Sequence, residues 1–419
     1  MNAHKQSTFR LEVIFAGMHS TYWLSMCAFS GFMAVYLNHY GFSDALVGIT
    51  ASLTSLITIA YQLGISSFSD ANSHISLKRI ITLIYLVILG LVAMLALVPL
   101  PMVLMMLAYA IAGGLANGMP GLYNAQIMQF VNAGIPVNFG WPRGVSALVY
   151  AAAAYLLGLL LESFSPSILM PIVLLCITLA TLMVLVMPRP DQLTDDQAIE
   201  GLAEPIQKTS FLQMLKTNRV IRFFLLSGFF MSAGQSNMML FLYRVVESKG
   251  GGEAALGLAM FLQAGVEMPA MFLSPFLLKR FRARAVLSVS VAFYFIKALI
   301  IFLAGNIYVL YLAMATSIFC FGLYGIASVY FVNSIVRQNE RVRAQSLISV
   351  FSAMAAVLGN FAAGWVVQSF GISALNLICV VLQLIAALLM LICARLHDEQ
   401  EKQQLPQGAL PFPLPFIRK

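Results

Sequence analysis

Long apolar runs alternate with short polar or Gly/Pro breaks along almost the whole chain. A bilayer core of about 30 Å needs about 20 apolar residues of helix per crossing, and twelve such runs are present. The pattern therefore predicts an all-α membrane protein with twelve transmembrane helices. We predict spans at 13–37, 46–68, 80–98, 102–130, 140–162, 166–187, 220–245, 254–278, 284–303, 307–332, 343–369 and 372–395.

One long polar stretch interrupts this pattern near the middle of the chain. Residues 188–218 carry three prolines and five of the sixteen acidic residues, which is typical of a linker. It separates two halves with six spans each. The expected organisation is an N-terminal bundle (1–187), a cytoplasmic linker (188–218), a C-terminal bundle (219–395) and a cytoplasmic tail (396–419).

Short sequence matches relate the two halves. The segment ALVGITASL (45–53) matches AALGLAMFL (254–262), and GLLLESF (158–164) matches GWVVQSF (364–370). The two matches have nearly the same offset, close to half the chain length, which favours a parallel duplication. We therefore predict two six-helix pseudo-repeats related by an axis along the membrane normal.

Composition agrees with a membrane protein and explains the net charge. Apolar residues make up 60% of the chain and charged residues 10%, against roughly 25% charged in soluble domains. With the N-terminus inside, twenty Lys and Arg lie in cytoplasmic segments and only Arg244 and Lys249 lie outside. The net charge of +8 is thus an orientation signal that places both termini in the cytoplasm, for which we expect the bacterial inner membrane. Nucleic acid is not an expected partner.

Several classes of chemistry are not predicted. The five cysteines lie inside apolar runs without metal-ligand spacing, and the chain has no nucleotide-binding GxxxxGK[ST] loop. His19 has no second metal ligand three or four residues away, and the interior offers no catalytic pair. We therefore expect no cofactor, no metal and no enzymatic activity.

The loop between spans two and three carries a recognisable motif. Ser66 to Asp70 (SSFSD), followed by Lys78 and Arg79, resembles the Gly-x-x-x-Asp and basic signature of the major facilitator superfamily, with serine in place of glycine and a longer spacing. Pro275 to Arg280 (PFLLKR) resembles the repeat of this loop after span eight. The resemblance covers essentially the whole chain. It implies that Asp70, Lys78 and Arg79 belong to a conformational gating loop.

Span five resembles the lactose permease branch of that superfamily, which contains sugar and nucleoside proton symporters. Residues 139–146 (FGWPRGVS) match the start of span five in that branch. The match implies that Arg143 contacts substrate hydroxyls and that Tyr150 stacks on the substrate. From position alone, Arg143 could instead reach the headgroups. Span four departs from the branch because it offers Asn124 and other amides where the permease has a carboxylate, so galactoside specificity does not follow.

Ionisable residues inside the membrane are rare and mark functional sites. Glu267 lies about midway between Glu253 and Lys279, at the two ends of its span, so it is the one carboxylate at mid-depth. Lys297 lies about 20 Å from one end of its span and about 14 Å from the other at 1.5 Å per residue. We predict that Lys297 meets Glu267 or a substrate anion and that both take part in proton coupling. The alternative is a fixed ion pair that locks spans eight and nine together.

Further polar and aromatic residues recur at helical spacing. His19 and Trp23 share a stripe of span one that could line a cavity or pack the bundle. Interhelical packing is also an alternative for the polar positions in the second half of the chain. The predicted substrate-binding set is Arg143, Tyr150, His19, Trp23, Asn124, Gln235, Asn237, Gln263, Tyr294 and Tyr324.

These features predict a secondary active transporter that works by alternating access. Amides, hydroxyls and tyrosines with one acid and few bases suit a small polar solute such as a sugar or nucleoside, carried by a monomer with protons as the coupling ion. A proton-driven exporter of drugs or metabolites is the alternative within this fold. A membrane receptor or scaffold that does not transport is the alternative of another class.

Overall fold

The computed structural model describes residues 2–71, 75–132, 135, 140–188, 218–336 and 341–404, and within these ranges all regular structure is helical. The predicted linker lies outside the described residues except at its two ends. Eight helices in the described ranges are long and apolar enough to cross a membrane, and the longest contains the last two predicted spans. Each of the twelve predicted spans falls on helix, which confirms the all-α fold class of a multi-pass membrane protein.

The helix bounds follow the predicted spans closely, and several spans are interrupted. Span one is built from α1, a π-helix at Cys27–Gly31 and α2, and span ten from α12, a 3-10 helix at Thr316–Phe319 and α13. Spans eleven and twelve form α14, which bends at Gly371 (φ 80°). The helices are α1 Asn2–Met26, α2 Met33–His39, α3 Asp44–Ala71, α4 Leu77–Leu97, α5 Met102–Asn132, α6 Gly140–Ser163, α7 Leu169–Val186, α8 Arg219–Leu240, α9 Leu242–Glu247, α10 Glu253–Arg280, α11 Ala283–Leu303, α12 Ile307–Ala315, α13 Phe321–Ile335 and α14 Arg341–Gln404.

The chain divides into two compact units. Unit 1 contains residues 1–204 together with 252–261, the first turns of α10, and unit 2 contains 205–251 and 262–419. Pairs of apolar helices such as α3 with α5 and α1 with α6 and α7 build unit 1. In unit 2, α14 packs along α8 and α11. Each unit therefore buries its own apolar interior.

Backbone geometry repeats between the units in the register of the first sequence match. Phe32 (φ −105°, ψ 22°) and Phe241 (φ −104°, ψ 18°) break the first helix of each unit at equivalent points. Gly41 (φ 82°) and Gly250 (φ 77°) then make the same left-handed turn, a conformation that glycine adopts without strain. An acidic residue in the first turn follows each glycine, where it complements the helix dipole.

A second equivalence occurs in the register of the other sequence match. Helices α4 and α11 each have 21 residues and begin after N-caps of nearly identical conformation, Ser76 (φ −63°, ψ 140°) and Arg282 (φ −67°, ψ 139°). Each N-cap carbonyl accepts from the same two positions of its helix, Arg79 and Ile80 or Ala285 and Val286. Because loops differ more readily than helices, matching caps and turns support the predicted duplication.

Ionic contacts connect two helix ends within unit 2. Arg284, in the first turn of α11, pairs with Asp398 and with Glu401 (3.0 Å) near the end of α14. Arg282 also pairs with Glu401 (2.8 Å). Arg284 is only 12% exposed, so this network is better shielded from solvent than ordinary surface pairs. It ties the start of α11 to the end of α14.

Helices α6 and α10 are in close contact at Gly158 and Gly257 in unit 1. A substitution at this contact tests the packing of the two helices. A Cβ atom at Gly158 would lie 2.6 Å from the carbonyl oxygen of Glu253 and 2.9 Å from the Cα atom of Gly257. We expect Gly158→Leu to lower the free energy of unfolding by about 1–3 kcal/mol or more, because the backbone atoms of α10 cannot move aside to make room for the new side chain. Thermal unfolding in detergent measures the effect.

Gly90 on α4 provides the matched control for this substitution. No atom lies within 4 Å of a Cβ built at Gly90, so Gly90→Leu should leave stability unchanged or raise it slightly through helix propensity. Equal melting temperatures for the two variants would contradict the close contact between α6 and α10.

Candidate functional site

Lys297 is the most deeply buried charged side chain in the described part of unit 2. It lies on α11 with a relative exposure of 0%, and its Nζ donates a hydrogen bond to Oε1 of Gln263 on α10 (2.8 Å). A buried ammonium group needs a hydrogen-bonding partner because it loses its water on folding. An amide oxygen therefore holds the charge of Lys297 in this conformation.

Glu267 lies one helical turn beyond Gln263 on α10. Positions four residues apart share a helix face, so both side chains are on the side of α10 that meets Lys297. Glu267 is half-buried and lies within electrostatic range of Lys297. Among the described contacts, however, these two side chains form no ion pair, and Lys297 is bonded to Gln263 instead. The structure thus places the predicted pair within electrostatic range of each other, with Gln263 as the hydrogen-bonding partner of Lys297.

The wall around Lys297 is aromatic and polar. Tyr294, one turn before Lys297, is 2% exposed and meets Tyr324 of α13 edge to face (6.5 Å between ring centroids). Span ten is broken at Cys320 (φ −92°, ψ −102°), whose carbonyl oxygen accepts from Ser290 Oγ of α11 (2.9 Å). Cys320 is within electrostatic range of Lys297. Irregular backbone therefore lies beside the buried charge, as it does around sites in other membrane proteins.

The amides of span seven form a separate polar seam in unit 2. Ser236 Oγ donates to Oδ1 of Asn360 (2.8 Å), and Gln383 Nε2 donates to the carbonyl oxygen of Met231 (3.0 Å). Oε1 of Gln235, Oδ1 of Asn237 and Oε1 of Gln383 are buried without a hydrogen-bonding partner among the described residues. The predicted residues Gln235 and Asn237 thus present acceptor atoms that a solute with hydroxyl or N–H groups can satisfy.

Two aromatic residues of unit 1 that the sequence predicts to bind substrate are in contact with each other. Trp23 is 36% exposed and meets Tyr150 edge to face (6.0 Å). Arg143 lies in the first turn of the same helix as Tyr150 and is exposed. The three side chains belong to α1 and α6, which pack against each other.

His19 and Asn124 are placed differently from these three residues. His19 is 4% exposed and packs between Phe15 (4.5 Å) and Tyr123 (5.2 Å). Asn124 is exposed, whereas its neighbour Tyr123 is buried, so the structure does not bring Asn124 to His19. The stripe of span one is therefore divided between a buried part at His19 and an exposed part at Trp23.

Lys78, which follows the loop between spans two and three, contacts the end of α7. Lys78 Nζ donates to the carbonyl oxygens of Leu185 and Met187 (2.7 Å each), which caps the end of α7. A lysine at this position also complements the dipole of the helix C-terminus. Arg79 is exposed. Asp70 lies in the last turn of α3, and its side chain is outside the described residues.

Sequence reasoning missed several buried polar residues around His19. Tyr85 on α4, together with Tyr123 and Gln126 on α5, lies in the interior of unit 1 with polar atoms that no described group satisfies. The spacing of Tyr123 and Gln126, three residues apart on one helix face, is a signal that could have pointed to them. Gln383 in span twelve was also missed.

Comparison with known proteins bears on both the family and the fold. A sequence profile described as "Major Facilitator Superfamily" matches residues 224–418. No curated protein sequence matches the chain significantly.

Solved structures with this fold cover nearly the whole chain. The nucleoside transporter NupG superposes with a TM-score of 0.73 at 17% identity, over 95% of this chain and 100% of its own. A bacterial homologue of the iron transporter ferroportin superposes with a TM-score of 0.69 at 13% identity, over 92% and 99%. A bacterial homologue of the lysosomal transporter Spinster gives 0.62 at 13% identity, over 95% and 98%. The chain therefore has the fold of these transporters, and its residues 224–418 match the profile of the major facilitator superfamily.

Proposed function

We propose that this transporter is a proton-coupled symporter of a small polar solute, similar to a sugar or a nucleoside. The observation that carries the proposal is the position of Lys297, fully buried and hydrogen-bonded to Gln263, with Glu267 one turn away. Intramembrane charges are retained mainly where they have a function. A site with one carboxylate and one ammonium group changes its net charge when a single proton binds.

Coupling follows from the competition for Lys297. When Glu267 is deprotonated, its carboxylate attracts the ammonium group of Lys297 away from Gln263. When Glu267 is protonated, Lys297 keeps the amide partner that the structure shows at 2.8 Å. The amide of Gln263 is therefore bound to Lys297 when Glu267 is protonated and available to a solute when Glu267 is deprotonated. This difference links proton binding to solute binding.

The proposed substrate class follows from the chemistry of the predicted substrate-binding residues. Gln235 and Asn237 offer unsatisfied acceptors, Tyr294 and Tyr324 offer aromatic surfaces, and the resemblance of span five assigns hydroxyl contacts to Arg143 and stacking to Tyr150. Trp23 adds an exposed aromatic surface, and Asn124 completes the proposed set, which leaves out His19 because its ring is buried between Phe15 and Tyr123. The fold shared with a nucleoside transporter supports a solute that combines a ring with several hydroxyl or N–H groups.

Placement and gating complete the proposal. From the distribution of the basic residues, we place both termini and the loop after span two on the cytoplasmic side of a bacterial inner membrane. In this loop, Asp70, Lys78 and Arg79 restrain the conformational change of the transporter. The hydrogen bond from Lys78 to the end of α7 couples the loop to span six. The protein acts as a monomer.

An uptake screen tests this function. Labelled sugars, nucleosides and amino acids are offered to cells that produce the protein, at two external pH values, with and without an uncoupler. We expect at least one sugar or nucleoside to accumulate more at the lower pH, and the uncoupler to abolish the accumulation. Outward pumping from energised vesicles would identify a proton-driven exporter, and no solute-dependent proton movement in either direction would favour a receptor or scaffold.

A further inference from the structure

Unit 1 contains a group of buried polar atoms that the proposed transport mechanism does not use. Both ring nitrogens of His19, the hydroxyls of Ser20, Tyr85 and Tyr123, and Oε1 of Gln126 are buried without a hydrogen-bonding partner in the described part of the chain. The side chains of His19, Tyr85, Tyr123 and Gln126 are 4% exposed or less. We call these five residues the His19 cage.

Ring contacts show that most of the cage is contiguous. Tyr123 of α5 lies 5.2 Å from His19 of α1 and 6.4 Å from Tyr85 of α4, measured between ring centroids. Gln126 follows Tyr123 by three residues on the same helix and therefore on the same face. Phe15 and Tyr22 close the group at 4.5 Å from His19 and 5.5 Å from Tyr123. Three helices thus contribute unsatisfied polar groups to one region in the interior of unit 1.

Other buried tyrosines of the same unit have satisfied hydroxyls. Tyr36 donates to the carbonyl oxygen of Leu95 (3.3 Å) and Tyr109 to that of Phe29. Tyr22 donates to the carbonyl oxygen of Ala116 (3.1 Å). The fold of unit 1 therefore pairs its buried hydroxyls where it can, and an unpaired buried polar atom destabilises a protein. Several such atoms together indicate a partner that is not part of the chain.

The chemistry of the cage defines this partner. Imidazole, phenol and amide groups both donate and accept hydrogen bonds, and the cage itself contains no carboxylate. The guanidinium of Arg143 acts electrostatically on His19 and opposes a cationic ligand; among the described titratable side chains, Tyr123 contacts the imidazole ring directly. Water also donates and accepts hydrogen bonds, and it is the smallest molecule with this chemistry.

We propose that the His19 cage is an internal hydration site, at which ordered water molecules bind to His19, Tyr85 and Tyr123. A bound water makes about three hydrogen bonds to buried polar groups, so the six atoms of the cage suit two or more molecules. With water on both sides, one nitrogen of His19 donates and the other accepts. This site is independent of the solute that the transporter carries.

X-ray hydroxyl-radical labelling of the purified full-length protein tests the proposal, because ordered water beside a buried side chain produces radicals in place. Without any solute, we expect labelling of Tyr85 and Tyr123 at a rate nearer to that of Tyr308, which is 78% exposed, than to that of Tyr36 and Tyr109. These last two tyrosines are matched controls because they are equally buried in the same unit and their hydroxyls are satisfied. Rates for Tyr85 and Tyr123 as slow as the controls would overturn the hydration site.

Two substitutions give a second measurement that does not depend on labelling efficiency. If water binds the cage, Tyr123→Phe lowers the melting temperature and slows the labelling of Tyr85. If the cage is dry, Tyr123→Phe removes an unsatisfied hydroxyl and raises the melting temperature. Tyr109→Phe lowers it in either case and shows that the assay detects one lost bond. Addition of sugars or nucleosides should leave the labelling unchanged, and protection by a solute would assign the cage to substrate binding instead.

Discussion

Glu267→Gln is expected to abolish proton-driven accumulation of the solute while leaving its equilibration across the membrane intact. Gln has nearly the same shape as Glu but cannot exchange a proton, so the site keeps its geometry and loses its coupling. One proton per solute converts each pH unit of gradient, about 1.4 kcal/mol, into at most a tenfold concentration ratio. The measured ratio should therefore fall to about 1, the value for equilibration alone.

The measurement compares uptake at two external pH values with counterflow, in which unlabelled solute inside drives the entry of labelled solute. Counterflow should persist in Glu267→Gln. The matched control is Glu247→Gln, which removes a carboxylate that is 51% exposed and paired with Arg244; its accumulation should equal that of the unaltered protein. Accumulation that remained dependent on pH in Glu267→Gln would show that another group carries the proton.

The fold was largely predictable because its determinants are local. Apolar runs locate the helices closely, and the duplication indicated by two short sequence matches recurs in the turns at Gly41 and Gly250 and in the caps of α4 and α11. The interruptions within spans were not predicted. Residues 316–320 contain no proline, so nothing in their composition distinguishes the break at Cys320 from continuous helix.

The two buried charged residues of the candidate site could be singled out from the sequence, but their hydrogen-bonding partners could not. Scarcity of charge and depth in the span identify Glu267 and Lys297, and the structure places them within electrostatic range. The bond from Lys297 to Gln263 depends on the rotation of α10 against α11, which is set by packing along both helices. A sequence pattern gives the face of one helix, and it does not give the angle between two.

The two units also differ in a way that their shared ancestry does not predict. When α4 is aligned with α11, Lys297 corresponds to Leu91. When the two glycine turns are aligned, Glu267 corresponds to Thr58. Unit 1 thus has no equivalent of the charged pair at these positions. Its interior holds the His19 cage, whose tyrosines come from α4 and α5 and meet only when the helices pack. The duplicated backbone therefore carries different chemistry in each unit.

Lys297→Met is expected to eliminate transport and, in the same protein, to raise thermal stability. Met fills a similar volume without a charge, so the substitution removes the free-energy cost of burying an ammonium group that has no ionic partner among the residues that the structure describes. Lys297 is fully buried and has an amide as its hydrogen-bonding partner, so much of the cost of removing its ammonium group from water is uncompensated. Without this group, Glu267 has no cation to attract, and proton binding no longer changes the state of Gln263.

A double-mutant cycle with Gln263 separates these effects. Gln263→Leu alone should lower the free energy of unfolding by about 1.5–3 kcal/mol, because the ammonium group of Lys297 loses its acceptor. In the Lys297→Met background the same change should have little effect, since no buried charge remains to be satisfied. Arg395→Met, at an exposed arginine near the end of α14, is the control for loss of a positive charge and should leave transport unchanged. Equal effects of Gln263→Leu in both backgrounds, or proton-driven accumulation by Lys297→Met, would remove Lys297 from the coupling mechanism.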